Sequence, residues 1–264
     1  MKICIAGACG RMGQRILEMT AAADDIEVGS AFDLPEQAGT ALAYGAAESG
    51  GVLTLSGSAK EAIVDVDVLI DFTHAEACLG NVAVAVDRGT AVVIGTTGLS
   101  PGQRQEIKTA AEEVPIVFAP NMSVGVNVLF KLVAQAAQAL GLDYNVEITE
   151  IHHNQKKDSP SGTAVRLAEL AAHALDLDYE KNVAHGRHGD LGARPRREIG
   201  MHALRGGDVA GEHTVAFIGE GERIELTHRA HNRDNFARGA LVAARFAVSA
   251  DPGLYDMQDV LGLR

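Results

Sequence analysis

The sequence predicts an α/β fold in which a parallel-sheet domain is interrupted by a second domain of α+β character. Three observations carry this reading. Nearly continuous apolar runs alternate with helical segments up to Asn121, and a glycine-spaced turn follows the first run at once. Beyond Asn121 the strands alternate apolar with polar residues before a last helical segment returns.

Lys2-Ile3-Cys4-Ile5-Ala6 is the first strand, and Gly7-Ala8-Cys9-Gly10-Arg11-Met12-Gly13 is the turn after it. Glycines at 7, 10 and 13 have G-x-x-G-x-x-G spacing, a variant of the dinucleotide fingerprint. The first makes a tight bend, the second lets a pyrophosphate approach the backbone, and the third lets the next helix pack on the strand. That helix runs from Gln14 to Ala22, with Ile16, Leu17 and Thr20 at helical spacing. A second strand, Ile26 to Phe32, ends in Asp33, about twenty residues past Gly13, where an acid can bind ribose hydroxyls.

The pattern continues with a strand at Asp67–Phe72, a helix at Ala75–Asp87 and a strand at Ala91–Ile94 closed by Gly95-Thr96-Thr97-Gly98. A helix over Pro101–Glu113 and a strand over Pro115–Ala119 follow. Ligands of such a Rossmann-like parallel sheet sit beyond the carboxyl ends of its strands. The turns at 7–13, 72–73, 95–98 and 119–123 all occupy that edge. Turn chemistry alone accounts for any one of them; four at one edge point to a shared cleft.

After Asn121 a helix from Val126 to Leu140 leads into Asn145–Ile151, which alternates like an antiparallel strand. Ile199–Arg205, Glu212–Ile218 and Arg223–His228 do the same, the last two joined by the hairpin signal Gly219-Glu220-Gly221-Glu222. Along Glu212–Ile218, Thr214, Ala216 and Ile218 oppose Val215 and Phe217, so both faces are apolar and one is suited to another subunit. His185 to Gly192 reads as a mobile, glycine-rich loop. Phe236–Val248 is helical, and Gly253–Met257 is a short tail. The expected division is 1–123 with 233–264 as the dinucleotide-binding domain, and 124–232 as an inserted α+β domain for substrate and oligomerisation.

Glu150 to Ala164, EIHHNQKKDSPSGTA, carries the chemistry of the inserted domain. His152, His153, Lys156 and Lys157 stand just before Ser159-Pro160-Ser161-Gly162-Thr163, which opens a helix. Proton-transfer groups are thereby placed beside a helix N-terminus able to hold a carboxylate or phosphate. The bland alternative is a basic loop before an ordinary Ser/Thr-capped helix. Adjacent strand residues point to opposite faces, so His152 and His153 are unsuited to share a metal, and only one of them delivers a proton. Glu150 reads as the charged face of a strand, with orientation of a histidine as the alternative. Lys157 reads as solvated charge, and His213, His228 and His231 as packed or surface residues. His185, His188 and His202 give no usable spacing.

Composition narrows the class. At 264 residues the chain can bury a large core, and its formal charge of −12 disfavours nucleic acid and anionic membranes. No apolar run is expected to reach a membrane span, and no signal-peptide pattern opens the chain. The cysteines, Cys4, Cys9 and Cys78, are odd in number and widely spaced, which suggests reduced thiols in the cytoplasm.

These residues resemble the 4-hydroxy-tetrahydrodipicolinate reductase family, also called dihydrodipicolinate reductase, over nearly the whole chain. The resemblance is carried by the 7–13 turn, Ile70-Asp71-Phe72-Thr73, Val93–Gly98, Ala119-Pro120-Asn121-Met122-Ser123-Val124-Gly125-Val126-Asn127 and the Glu150–Ala164 segment. Gly207-Asp208, Gly211-Glu212-His213-Thr214 and Tyr255–Leu261 complete it, and the E-x-H-H-x-x-K-x-D-x-P-S-G-T-A pattern is its most specific part. The resemblance implies reduction of a small cyclic dicarboxylate with NADH or NADPH, in a homotetramer. It implies that His152 transfers the proton, with a donor role also for Lys156, and that His153, Gly162 and Thr163 bind substrate. The cofactor positions are Gly7, Ala8, Cys9, Gly10, Arg11, Met12, Asp33, Gly95, Thr96, Thr97, Ala119, Pro120, Asn121 and Met122. Leu34 is a departure, since some members have arginine there.

On physical grounds the Ser161 and Thr163 hydroxyls are expected to help the helix start hold a carboxylate. Lys156 and His153 offset the cost of desolvating a dianion. A histidine, with an unperturbed pKa of ~6.5, suits proton delivery near neutrality. Arg233, at the junction back to the first domain, is a candidate carboxylate contact or hinge salt bridge. Two alternatives stand beside this reading: another two-domain dehydrogenase, and a non-catalytic dinucleotide-binding redox sensor. An acylating semialdehyde enzyme needs a nucleophilic cysteine, and the inserted domain has none. A sensor needs no proton donor.

Overall fold

Residues 1–45 and 50–264 are described by the structure, a computed structural model. The chain begins with β1 (Lys2–Ala6), α1 (Arg11–Ala21), β2 (Glu27–Phe32), the pair β3 (Ala41–Tyr44) and β4 (Gly51–Thr54), and α2 (Ala59–Ala62). There follow β5 (Val68–Asp71), α3 (Ala75–Asp87), β6 (Ala91–Ile94), α4 (Pro101–Ala110), β7 (Pro115–Phe118) and α5 (Val124–Leu140). Next come β8 (Asn145–His152), α6 (Gly162–Ala174), α7 (Tyr179–Asn182), β9 (Val183–His185), β10 (Ile199–Arg205), β11 (Gly211–Ile218) and β12 (Arg223–Ala230). α8 (Asp234–Ser249), β13 (Gly253–Tyr255) and α9 (Met257–Val260) close the chain. Two units result, 1–124 with 233–264, and 125–232.

The first unit is built on a six-stranded sheet in the order β13-β7-β6-β5-β1-β2, parallel throughout. Every residue of β5 and β6 is buried, as strands covered on both faces require. Successive side chains feed opposite layers. Ile3, Ile5, Val68, Ile70 and Val93 pack with α1 and α8, and Cys4, Leu69, Val92 and Ile94 pack with Cys78 and Ile107 of α3 and α4. Each such burial stabilises the fold by roughly 1.5–3 kcal/mol before chain entropy is counted. Ser100 and Gln103 form a capping box that starts α4.

The second unit is a five-stranded sheet in the order β12-β11-β8-β10-β9. β8 pairs antiparallel with β11 but parallel with β10, which also runs parallel to β9, so the expectation of a wholly antiparallel sheet is corrected. The connection through α6 reverses the chain and makes the parallel pairing possible. Val146, Ile148, Val215 and Phe217 face α5 and α6 in the core. On the other face of β11, Thr214 and Ala216 are half-buried and Ile218 is exposed. The 185–192 loop is more anchored than its composition suggests, since Arg187 pairs with Glu147 at 2.7 Å and Glu198 at 2.6 Å.

Two further expectations are corrected. The tail is the edge strand β13 against β7, followed by α9. The segment Val124–Asp143 is long and apolar enough, by length and composition, to cross a membrane. Its Leu129, Val133 and Ala137 pack in the core of the second unit, while Val128 and Leu132 are exposed.

α8 packs where the backbone after β7 passes. A Cβ added at Gly239 would lie 1.7 Å from the Met122 carbonyl oxygen, and backbone cannot swing aside. Gly239→Ala is therefore expected to destabilise the protein by at least ~1–3 kcal/mol. Gly80→Ala, with nothing within 4 Å of the new methyl, should raise stability by a few tenths to ~1 kcal/mol. Thermal unfolding of the two variants checks this; equal melting temperatures would contradict it.

Candidate active site

In the first unit the expected cofactor residues collect at the carboxyl edge of the sheet. Gly7, at φ +74°, turns the chain so that its N–H donates to Phe32 O at 3.0 Å. Gly10 N–H then donates to Gly7 O at 3.0 Å. A Cβ at Gly13 would stand 2.2 Å from Gly7 O, so the helix can begin this close to the turn only with glycine there. α1 starts with no side-chain cap and no acid in its first turn, which leaves its N–H groups for an anion. Asp33 accepts from Cys9 N at 2.7 Å and from Leu34 N at 2.8 Å, and so ties the end of β2 to the glycine-rich turn.

Asp71, wholly buried at the end of β5, organises the neighbouring turns. It accepts from Thr73 N at 3.0 Å, Thr73 Oγ1 at 2.7 Å, Asn81 Nδ2 at 2.8 Å and Thr96 Oγ1 at 2.7 Å. The Thr96 hydroxyl is thus spent inside the protein, and this residue shapes the 95–98 turn while Thr97 is exposed. Gly95 lies against the Phe72 ring, where a Cβ would come within 2.2 Å of Cε1. Ala119 and Met122 are buried, Pro120 is exposed, and Asn121 Oδ1 accepts from Ser123 N at 2.9 Å. Arg233 belongs to this unit, just before α8. Burial lowers its pKa, and the neighbouring charge of Arg11 lowers it further. Neither arginine has an ion-pair partner among the described residues.

The second unit brings His152, His153, Lys156 and the start of α6 together. Ser161 caps α6, its Oγ accepting from Ala164 N at 3.3 Å, and α6 has no acid in its first turn. The same Oγ shares a 3.1 Å hydrogen bond with His213 Nε2, and Ser161 is 2 % exposed. The Ser161 hydroxyl therefore binds both the first turn of α6 and His213. Gly162 faces open space. Lys156 Nζ pairs with Asp158 Oδ1 at 3.0 Å, and Lys157 is exposed.

His152 ends β8, nine-tenths buried, and His153 follows the strand with its N–H donating to Val209 O at 2.8 Å. His152 Nδ1 lies 2.6 Å from Glu150 Oε2. Glu150 is not the charged face of a strand: it is 0 % exposed. Its carboxylate also accepts from Arg205 Nη1 at 2.8 Å, Arg205 Nη2 at 2.9 Å and Ser161 N at 3.0 Å. Burial pushes the Glu150 pKa up, but the bonds from His152, Arg205 and Ser161 outweigh it and hold it at about 2. The His213 ring meets that of His152 edge-on, centroids 5.2 Å apart. Arg205 and His213 are the members of this site that sequence reasoning did not place there. The parity of β8 held the signal for Glu150, which shares a face with Val146 and Ile148.

Comparison with known proteins followed the same division. The dihydrodipicolinate reductase N-terminus matches residues 1–122, and the dihydrodipicolinate reductase C-terminus matches residues 125–261. The chain is 51% identical over 265 residues to a 4-hydroxy-tetrahydrodipicolinate reductase of Anaeromyxobacter sp. (strain Fw109-5), covering 100% of this chain and 98% of that protein. It is 49% identical over 266 residues to one of Citrifermentans bemidjiense, covering 100% of both. Its fold is similar to that of a dipicolinate-bound dihydrodipicolinate reductase from Paenisporosarcina sp. TG-14, with TM-score 0.77, 24% identity and 97% of each chain covered.

The buried histidine predicts a pH dependence of stability. Desolvation first, then the nearby His152, push the His213 pKa from 6.5 down to about 3. The folded state then binds fewer protons than the unfolded one, so stability rises with pH and is lost as pH falls below about 6.5. Glu147 and Glu150, held near 2 against 4.5 for the free group, act in the same direction only below about 4.5. Between these limits the slope belongs to His213, with a contribution from the similarly depressed His228. His213→Gln should flatten the urea-unfolding midpoint between pH 4.5 and 6.5; an unchanged slope would contradict this.

Proposed function

The chain belongs to the dihydrodipicolinate reductase family, and from that premise we propose how its residues reduce 4-hydroxy-tetrahydrodipicolinate in diaminopimelate and lysine biosynthesis. The observation that carries the reading is a buried histidine, His152, beside an acid-free helix start and a lysine. A small dicarboxylate that must receive a proton needs those groups together.

The first unit fits a nicotinamide dinucleotide, because Gly7 turns the chain at φ +74° and α1 starts with no side-chain cap and no acid, leaving its N–H groups for a pyrophosphate. When bound, NADH or NADPH supplies the hydride. In this reading the turn at 7–12, Asp33, 95–97 and 119–122 hold it, the buried Thr96 and Met122 through backbone alone. Arg11 and Arg233 offer positive charge at the same unit, with a substrate carboxylate as the partner of Arg233.

In the second unit, the N–H groups of Gly162 and Thr163 take one substrate carboxylate at the positive end of α6. Lys156 exchanges its exposed partner Asp158, whose side chain is 61% accessible, for a carboxylate of the substrate. Such surface pairs contribute only about 0–1 kcal/mol, so the exchange is inexpensive. His153 adds a hydrogen bond or charge, and His152 delivers the proton to the ring as negative charge arrives. The same groups serve the hydroxylated compound and its dehydrated form. We place the protein in the cytoplasm, where its three free cysteines stay reduced. The outward face of β11 is assigned to contact between copies in a homotetramer.

His152→Gln is expected to lower kcat by about 10²–10⁴-fold with little change in cofactor affinity. Lys156→Ala should lower kcat and raise KM as well, since it removes charge from the dianion's site. Oxidation of NADH with freshly generated substrate, followed by absorbance, measures both. Near-wild-type turnover of His152→Gln at pH 7 would reassign the donor.

Cofactor choice turns on the end of β2. Both Asp33 oxygens already accept backbone N–H groups, yet each keeps a lone pair for a ribose hydroxyl. A 2′-phosphate would meet this carboxylate, and the exposed Leu34 offers no compensating cation. NADH should be used at least as well as NADPH, and Leu34→Arg should shift kcat/KM toward NADPH by ~1.5–3 kcal/mol. The comparison belongs at low ionic strength, because an exposed phosphate contact is screened. A wild-type preference for NADPH of tenfold or more would overturn the argument.

A further inference from the structure

His152 is held by more than its own strand. One edge of its ring, Nδ1, meets Glu150 at 2.6 Å, and the other, Nε2, faces Gly211. A Cβ at Gly211 would lie 3.0 Å from Nε2, and its φ of +153° also favours glycine, so no side chain of that residue covers the reactive edge. The Glu150 carboxylate is in turn gripped by both terminal nitrogens of Arg205, which sits opposite His152 in the β8–β10 register. Arg205 Nη2 also donates to Asp158 O at 2.7 Å, fixing the backbone beside Lys156.

We propose that Glu150 and Arg205 are positioning residues for the proton transfer: Glu150 holds Nδ1–H so that Nε2 delivers the proton, and Arg205 tempers the carboxylate so that the imidazolium can release it. This rests on His152 being the donor. As an acid, His152 must leave its remaining proton on Nδ1 when Nε2–H breaks. A carboxylate at Nδ1 accepts from that N–H both before and after the transfer. It also stabilises the imidazolium, and a lone buried carboxylate 2.6 Å away would hold the proton against release. The bidentate guanidinium offsets that pull without displacing the carboxylate.

The other groups around His152 do not supply this function. His213, from β11, presents a ring edge and is kept neutral by burial. Lys156 is paired with Asp158. Glu150 and Arg205 therefore act in opposite senses on one imidazole, which gives the test its discrimination.

The experiment is the pH dependence of kcat/KM, with NADH and freshly generated substrate, for wild type, Glu150→Gln, Arg205→Met and His152→Gln. The high-pH limb, where the acid is lost, should move down by about one unit or more in Glu150→Gln and up in Arg205→Met. Glu150→Gln should also lower kcat by about tenfold to 10²-fold, because its amide N–H₂ opposes the Nδ1–H left after transfer. ¹⁵N spectra of histidine-labelled wild-type protein, with His152 assigned from the His152→Gln spectrum, should show the neutral ring protonated at Nδ1. That measurement decides the matter even if Arg205→Met does not fold. Limbs that stay in place or move together, or a wild-type ring protonated at Nε2, would overturn the proposal while an inactive His152→Gln left the donor assignment standing. An active His152→Gln would instead remove the premise.

Discussion

Burying the Glu150 carboxylate is the constraint on which the second unit is organised. A carboxylate with no exposed surface must be saturated with donors, because an unpaired buried charge costs several kcal/mol. Here four hydrogen bonds reach it, from His152 on its own strand, from both ends of the Arg205 fork on β10, and from the N–H of Ser161 before α6. Three separate pieces of chain are thereby fixed to one another at the point where His152 and the start of α6 meet. The parallel pairing of β8 with β10 is what puts Arg205 beside His152. Pairing in the opposite sense would send that guanidinium to the far end of the strand.

The first unit solves a similar problem in the same way. Asp71 is buried at the carboxyl end of β5 and receives hydrogen bonds from the turn after its own strand, from α3, and from Thr96 in the turn after β6. Its charge also raises the pKa values of Cys4 and Cys78, adding to the larger effect of their burial, so both remain protonated thiols inside the sheet. In each unit, then, one saturated carboxylate sets the shape of the turns around it. Hydroxyls nearest these carboxylates, such as Thr96, or nearest their donors, such as Ser161, are drawn into the scaffold.

That division explains what the sequence could and could not reveal. β1, α3 and β6 were legible to the residue because continuous apolar runs or helical spacing define them. β13 was not, since three residues with a glycine and a tyrosine carry no period, and only the neighbouring β7 makes them a strand. The residue types at 150–163 marked the chemistry, but the meaning of each polar group depended on its partner. Glu150 looked like a solvated charge because glutamate usually is one. Its parity with Val146 and Ile148 pointed inward, and Arg205, some fifty residues away, is what makes that position tolerable. Long-range pairing of this kind has no local signature.

The two cations of the site differ in the same physical terms, and their difference suits their tasks. Lys156 is a flexible ammonium paired with a carboxylate that is mostly in water, so screening keeps the pair weak and the partner replaceable. Arg205 is a planar fork engaged at both ends by a buried carboxylate and by the Asp158 carbonyl, and exchanging any of these would strand a charge. Asp158 thus serves both: its backbone is fixed by the arginine while its side chain lends the lysine a temporary partner. In the proposed function a dianionic ligand draws Lys156 away without loosening the loop. In that proposal the cation that moves is thus held from the surface, and the one that stays is held from within.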